Sequence, residues 1–499
     1  MKGLKTLLPI VLVFFVSAAV VFTQPPAKNR LIPAADLKDD VAILRRAYQE
    51  LHPGLYRYNT KTQMDANFAW LESEFSRDRT LSEAYLAFSI FTAKLKCGHS
   101  YANFFNQTKA ISTALFKQQD KVPFYFRWLN GRMIVSKNFS IDPSLPPGTE
   151  IVSINGVNTK EILAKLMTVA RADGSNDAKR VAYLEVLGND RFEAFDVFYP
   201  LFYPVEDTKF ELIVRKFGKQ RKSRAVVDAL TYEQRLAAMS SASDNSNPDA
   251  PVFTVSYLES DIAVLRMPNW ALYDTKWDWK KFVNETMNDL ANRRIANLVI
   301  DIRGNEGGLD VGNEVITHLI NKDLRLAQMD RFVRYQKLRA DLKPYLDTWD
   351  RSFDDWGAGA SGPKNGFYRL TKYDDDANGN VLKPSGQRYS GRVFVLVGAT
   401  NSSATFQFAQ TIKLNKLGTL VGQPTGGNQR GINGGAFYFL NLPKSKIEID
   451  VPLIGQFPVG EAPDAGIEPD VFVKPKASDI AFGRDAELDA VKQILKRKK

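Results

Sequence analysis

From Ala34 to Cys97, apolar residues recur at 3.6-residue spacing around residues 35–51, 62–76 and 80–96, and each segment predicts an amphipathic helix. Thr80-Leu81-Ser82-Glu83 has the pattern of a capping box, in which threonine and glutamate satisfy free N–H groups, so it opens the third helix. Gly98 ends that helix, since glycine is favoured just beyond a helix end. His99 then begins the following loop or strand.

The pattern changes over residues 122–228. VPFYFRW and GRMIVSK read as strands, a strand and a turn at Asn155-Gly156 follow, then a helix, and FELIVRK, Gly218 and SRAVV supply a closing hairpin. This is a β-rich module. SSASDNSNPDAP, residues 240–251, marks a linker within 229–252.

Beyond the linker, VFTVSYL and DIAVLRMP precede an amphipathic helix in 276–292 and the continuously apolar strand NLVIDIR, the kind buried in a parallel sheet. Helix 309–321, strand 392–399, a helix starting near Ser403 and strand 418–424 repeat the alternation, which predicts an α/β layer with parallel strands over 253–480. Residues 322–390 interrupt it with Arg-, Asp- and Trp-bearing segments, expected to form a partly helical insertion that roofs a cleft. Within them Asp374, Asp376, Asn378 and Gly379 have the spacing that starts a calcium loop, but position twelve is Ser385 where a bidentate Glu is needed, so a solvated turn is expected. Residues 481–499 end the chain as a basic helix.

At 499 residues the chain exceeds one ordinary core and is expected to divide into two to four domains. Lys2 and Lys5 precede an apolar run from Leu7 to Phe22, then Gln24-Pro25-Pro26, the order of an export signal over 1–23; the run is short for a comfortable span. The expected location is periplasmic or secreted, with membrane attachment only if that segment stays uncleaved. The single cysteine, Cys97, excludes a disulfide within the chain, and three histidines without a CxxC pair argue against zinc. No metal or cofactor is expected. Of the formal +11, Lys2, Lys5, Lys492, Lys496, Arg497, Lys498 and Lys499 account for seven, leaving +4 for the body, so nucleic acid is not an expected partner.

Two stretches carry candidate chemistry. NSSATFQFAQ, residues 401–410, places Ser402 and Ser403 where a strand hands over to a helix, a site for either an N-cap or a nucleophile. A serine attacking a carbonyl there has the next N–H, that of Ala404, to hold the oxyanion. IDIRGNEGGLD, residues 300–310, is a glycine-rich turn at the same sheet edge, with Gly307 or Gly308 as the second donor. Read alone, that turn equally suits a phosphate or close packing. His52 and His318 sit in contexts that suit structural roles.

In chain order, Cys97-Gly98-His99-Ser100, SINGV, LVIDIRGNEGG, SSATFQFA with VGQPTGG, and DAGIEPDVFV resemble the tail-specific, or C-terminal processing, serine peptidases and their tricorn-core and retinoid-binding-protein relatives, over roughly residues 80–475. The resemblance implies an N-terminal helical region (34–121), a PDZ-like module (122–228) and a ClpP/crotonase-like α/β core. It registers Ser403 as nucleophile, with Phe406 where the family has glutamate. In the Ser-Lys branch a lysine follows the Gly-x-Pro-Thr stretch; here Asn428 stands there and Arg430 stays charged, so the likeness leans to the tricorn branch, whose base is a Gly-His histidine, here His99. A serine precedes that histidine in the tricorn branch, where this chain has Gly98. The supporting acid is Asp464 or Glu461. The implied function is an exported peptidase cleaving peptides or unfolded chain ends through a Ser-His acyl-enzyme. The alternatives are a non-catalytic protein holding a peptide or apolar ligand on the same scaffold, and an esterase or amidase.

Overall fold

The computed structural model describes residues 28–239, 249–373 and 380–497. The export-signal reading, most of the 240–251 linker and the Asp374–Gly379 run lie outside the described residues. Among the described residues, no helix is long and apolar enough to cross a membrane.

The periodic segments at the N-terminal end form helices Ala34–Leu51, Lys61–Glu74 and Leu81–Lys94. Thr80 and Glu83 make the reciprocal capping bonds that start the third of these, and Thr60 with Gln63 does the same for the second. Their apolar faces, including Leu37, Tyr48, Phe68 and Phe91, belong to one core with Tyr438, Leu440, Val451 and Leu453 from a long antiparallel hairpin. The β-rich stretch forms a six-stranded antiparallel sheet, with Phe124–Leu129, Arg132–Asn138, Glu150–Ile154, Lys209–Arg215 and Ser223–Asp228 in that spatial order and Val157–Asn158 paired to Glu150–Ile154 off this path.

The α/β layer is a six-stranded sheet in the order Val471–Phe472, Thr419–Gly422, Arg392–Val397, Asn297–Asp301, Ile262–Arg266, Thr254–Glu259. Every neighbouring pair is parallel except the last. One face packs on helices Trp279–Asn292, Val311–Thr317 and Ser403–Leu414 through Met287, Val315 and Phe408. The other packs on helix Ala486–Arg497 through Val491 and Leu495. Such double cover is what an uninterrupted apolar strand such as Asn297–Asp301, buried at every position, requires. In register, Asp301 lies opposite Leu396 and Leu396 opposite Val421, so three adjacent strands end together.

The insertion differs from its expectation. Instead of a partly helical segment, it contributes short 3₁₀ turns and the strands Met329–Val333, Leu346–Asp347, Ala360–Lys364 and Phe367–Leu370 to a second six-stranded sheet, built on Ile432–Asn441 and Glu448–Pro458. All its pairings are antiparallel. Met329–Val333 pairs with a strand more than a hundred residues later, so tertiary pairing overrides local spacing.

Candidate active site

A cleft of about 1030 Å³ lies between the ends of the parallel strands and the antiparallel sheet, lined by Ser403, Ala404 and Gly308 on one side and by His99, Gly434 and Phe437 on the other. Leu326, Met329, Arg331 and Trp349 of the insertion also line it, so the insertion does border a cleft, as strands and loops.

The two serines separate by geometry. Ser402 sits in extended backbone before the helix and its Oγ donates to Glu306 O at 3.1 Å. Ser403, the first helical residue, has φ of +50°. A non-glycine residue in the left-handed region at a strand-to-helix turn is strained, and such strain is kept where it aims a side chain. Ser403 Oγ opens on the cleft with no hydrogen bond among the described residues.

Three loops meet around it, and Asn401 holds them together. Its Nδ2 donates to Ile302 O at 2.6 Å and Asn305 O at 3.0 Å, its Oδ1 accepts from Gly398 N at 2.8 Å, and its carbonyl accepts from Gly426 N and Gly427 N at 2.7 and 3.0 Å. All of these groups follow the ends of the adjacent strands. The start of the glycine-rich turn is clamped from outside: Arg303 bonds Asp301, Asp485 and Glu487 at 2.8–3.0 Å, joining it to the C-terminal helix. Phe406, at the glutamate position of the resembling family, is a core residue whose ring lies against Gly427, where a Cβ would come within 2.4 Å.

Gly307 and Gly308, at φ of +109° and +135°, form a turn that side chains would block: a Cβ on Gly308 would lie 2.2 Å from Trp270 O. Their N–H groups are not equivalent. That of Gly307 donates to Asn305 Oδ1 at 2.9 Å, which takes it away from the expected oxyanion role. Gly308 N–H and Ala404 N–H have no acceptor among the described residues. Ala404 N–H is also one of the four free donors of a helix start, where partial positive charge gathers.

His99 follows the first helical region, in a loop held from both sides. Gly98 N donates to Asp173 Oδ1 at 2.9 Å, Arg171 donates to Gly98 O at 2.6 Å, and Ser100 Oγ donates to Asp450 O at 3.1 Å. The His99 Nδ1 is buried without a partner, and no hydrogen bond joins the ring to Ser403. Enclosure lowers the imidazole pKa, opposed first by the nearby Asp173 carboxylate.

Neither expected acid touches the imidazole. Asp464 accepts from Asn428 Nδ2 at 2.6 Å and Ser175 N at 3.0 Å, and Glu461 is exposed with no hydrogen bond among the described residues. Asn428 in turn donates to Asp173 O at 3.2 Å, so Asp464 reaches the histidine loop only at one remove. The carboxylate beside His99 is Asp173, buried and lining the cleft. No local motif marked it. The thiol next door is inert: Cys97 is buried, accepts from Asn433 Nδ2 at 3.3 Å, and burial pushes it up to about 12. His52 and His318 cap helix ends; His318 Nε2 bonds Asn284 Oδ1 at 2.8 Å and His52 stacks on Tyr48.

Residues 261–472 match the model of peptidase family S41. The chain carries an S41 peptidase domain. That match spans Ser403, Gly308 and Ala404, while His99 and Asp173 lie outside it. By this domain the protein is a serine-type peptidase hydrolase whose substrate class is peptide or protein. Among solved structures, mature CPAF complexed with lactacystin is 15% identical, with a TM-score of 0.63 over 93% of this chain and 98% of that one. Mature CPAF gives 15% and 0.59 over 92% and 96%, and the photosystem II D1 C-terminal processing protease 14% and 0.41 over 88% and 94%. At these identities the CPAF likeness is one of fold. No curated protein matches this chain significantly.

Proposed function

We propose that this protein is an exported serine peptidase that cleaves peptides or unfolded chain ends through an acyl-enzyme at Ser403. The observation that carries the reading is the conformation of Ser403, held left-handed at the edge of a cleft that also contains His99 and two uncommitted N–H groups. Ser403 Oγ attacks the scissile carbonyl carbon, and its proton passes to His99. The carbonyl oxygen becomes an oxyanion within reach of Ala404 N–H and Gly308 N–H. His99 returns the proton to the leaving amine as the C–N bond breaks, and water, deprotonated by the same imidazole, releases the acyl group and restores Ser403. Asp173 supports the imidazolium. The missing bond between His99 and Ser403 forms on substrate binding, since catalytic hydrogen bonds in the free enzyme are often long. Export is supported by Lys2, Lys5 and the apolar run from Leu7 to Phe22.

That same missing bond favours the second reading, a protein that binds peptides without cutting them. Labelling of the purified protein with a fluorescent fluorophosphonate decides between them. Labelling lost in both Ser403→Ala and His99→Ala supports catalysis. A folded wild type that takes no label supports binding alone.

A further inference from the structure

Residues opposite one another in an antiparallel pair project from the same face, as do every second residue along each strand. In the long hairpin Phe437 pairs with Pro452 and Phe439 with Asp450, so Phe437, Phe439 and Asp450 share a face, and all three line the cleft. Trp349, 60% exposed, stands over them with ring centroids 5.9 and 5.8 Å from Phe437 and Phe439. Phe437 is in turn 6.0 Å from the His99 ring. The wall therefore runs from the proposed base, across an aromatic surface, to a carboxylate.

That carboxylate has acceptors to spare and no ion pair among the described residues. Asp450 is 5% exposed and is held by Asn103 Nδ2 at 2.7 Å and Asn106 Nδ2 at 3.2 Å. Burial pushes its carboxyl up to about 7, outweighing the two amides and the more distant Arg171 guanidinium. Glu448, on the same hairpin face, is also raised to about 7, first by burial and then by Asp450, and its Oε1 has no partner. The lining as a whole carries the carboxylates Asp173, Asp310 and Asp450 against one guanidinium, Arg331. In a chain of formal charge +11, the cleft has the opposite sign to the protein.

We propose that this end of the cleft is a subsite for a cationic side chain of the substrate, a lysine or arginine whose stem lies along Trp349, Phe437 and Phe439 and whose head meets Asp450. The inference rests on the peptide-substrate reading of the same cleft. An apolar side chain satisfies the rings and leaves the carboxylate desolvated; an acidic one adds repulsion; a cation satisfies both surfaces.

The test uses the full chain with Ser403→Ala, which cannot turn peptides over, and measures fluorescence anisotropy with peptide pairs differing by lysine against norleucine at successive positions. At one position the lysine peptide binds about tenfold tighter, as expected for one desolvated charge-assisted contact. Adding Asp450→Asn brings the pair within twofold, with near-UV circular dichroism as the check on folding. Trp349→Leu, at an exposed ring, narrows the gap independently. Equal binding at every position, or a lysine preference that survives Asp450→Asn, overturns the subsite. Fluorophosphonate labelling of the wild type separates the two ideas: a labelled protein without cation preference loses the subsite alone, an unlabelled one with the preference loses only catalysis, and an unlabelled one to which no peptide binds loses both.

Discussion

A β-carbon on Gly307 would come within 2.9 Å of the Cβ of Ser403 and equally close to Ala404 N. The glycine-rich turn and the serine-bearing helix start are thus in direct contact, although 96 positions separate Gly307 from Ser403. Gly307→Ala should abolish fluorophosphonate labelling, because the added carbon displaces the serine and the φ of +109° resists any side chain. A variant that still labels at the wild-type rate would show that this contact does not set the serine's position.

Ser402 and Ser403 should respond differently to alanine. Ser403→Ala should lower kcat/KM by about 10⁴-fold or more. Ser402→Ala removes only a hydrogen bond to Glu306 O and should retain most activity. Steady-state kinetics on a quenched fluorescent peptide would register both, and the reverse order would move the nucleophile to Ser402.

Asp173→Asn should cost about a hundredfold in kcat/KM, whereas Glu461→Gln should stay within about twofold of wild type, as exposed substitutions without partners usually do. The pH profile distinguishes a positioning role from a fold defect. The proposed mechanism uses neutral His99, whose pKa burial lowers from the usual 6.5, so the acid limb of kcat/KM should fall below pH 6.5. Removing Asp173 takes away the group that raises the imidazole, and the limb should move further to acid. An unmoved limb would leave Asp173 as packing.

His52 links stability to pH. Burial, then Arg57, lowers its pKa to about 3, so the unfolded chain binds a proton below pH 6.5 that the folded one refuses. The stability from this group is complete above 6.5 and is lost as pH falls towards 3, at about 1.4 kcal/mol per pH unit. Denaturant unfolding between pH 7 and 4 should show a shallower decline in His52→Gln than in wild type.

Asn401→Ala would keep the backbone bonds to Gly426 and Gly427 but cut the side-chain bonds that join the ends of Asn297–Asp301 and Arg392–Val397, leaving buried carbonyls at Ile302 and Asn305 without those donors. A loss of about 3 kcal/mol is expected, measurable as a lowered thermal midpoint, with labelling reduced even below that temperature.

Local periodicity made the N-terminal helices and the parallel strands legible to within a few residues, because their apolar spacing and caps are properties of contiguous chain. Ser403 and His99 were reached through family likeness, and both line one cleft. Asp173 was not legible: it lies in a loop between helices, with no motif, and matters only because Gly98 N and the imidazole come to it through the fold. The hairpin Ile432–Asn441 with Glu448–Pro458 was also missed; its glycines and the register shift between Gly434 and Phe437 interrupt the strand pattern. The insertion was expected to be partly helical but took its structure from that hairpin.

Ala404 and Phe406 pack into the core of the parallel sheet, whereas Cys97 and Ala102 on either side of His99 pack into the core shared by the N-terminal helices and the long hairpin. Ser403 and His99 are thus mounted on separate chassis, and the alignment that the proposed mechanism needs is only as durable as the seam between them. Mild denaturant should silence the proposed activity while both halves keep their amide protons, a slippage and not a melting.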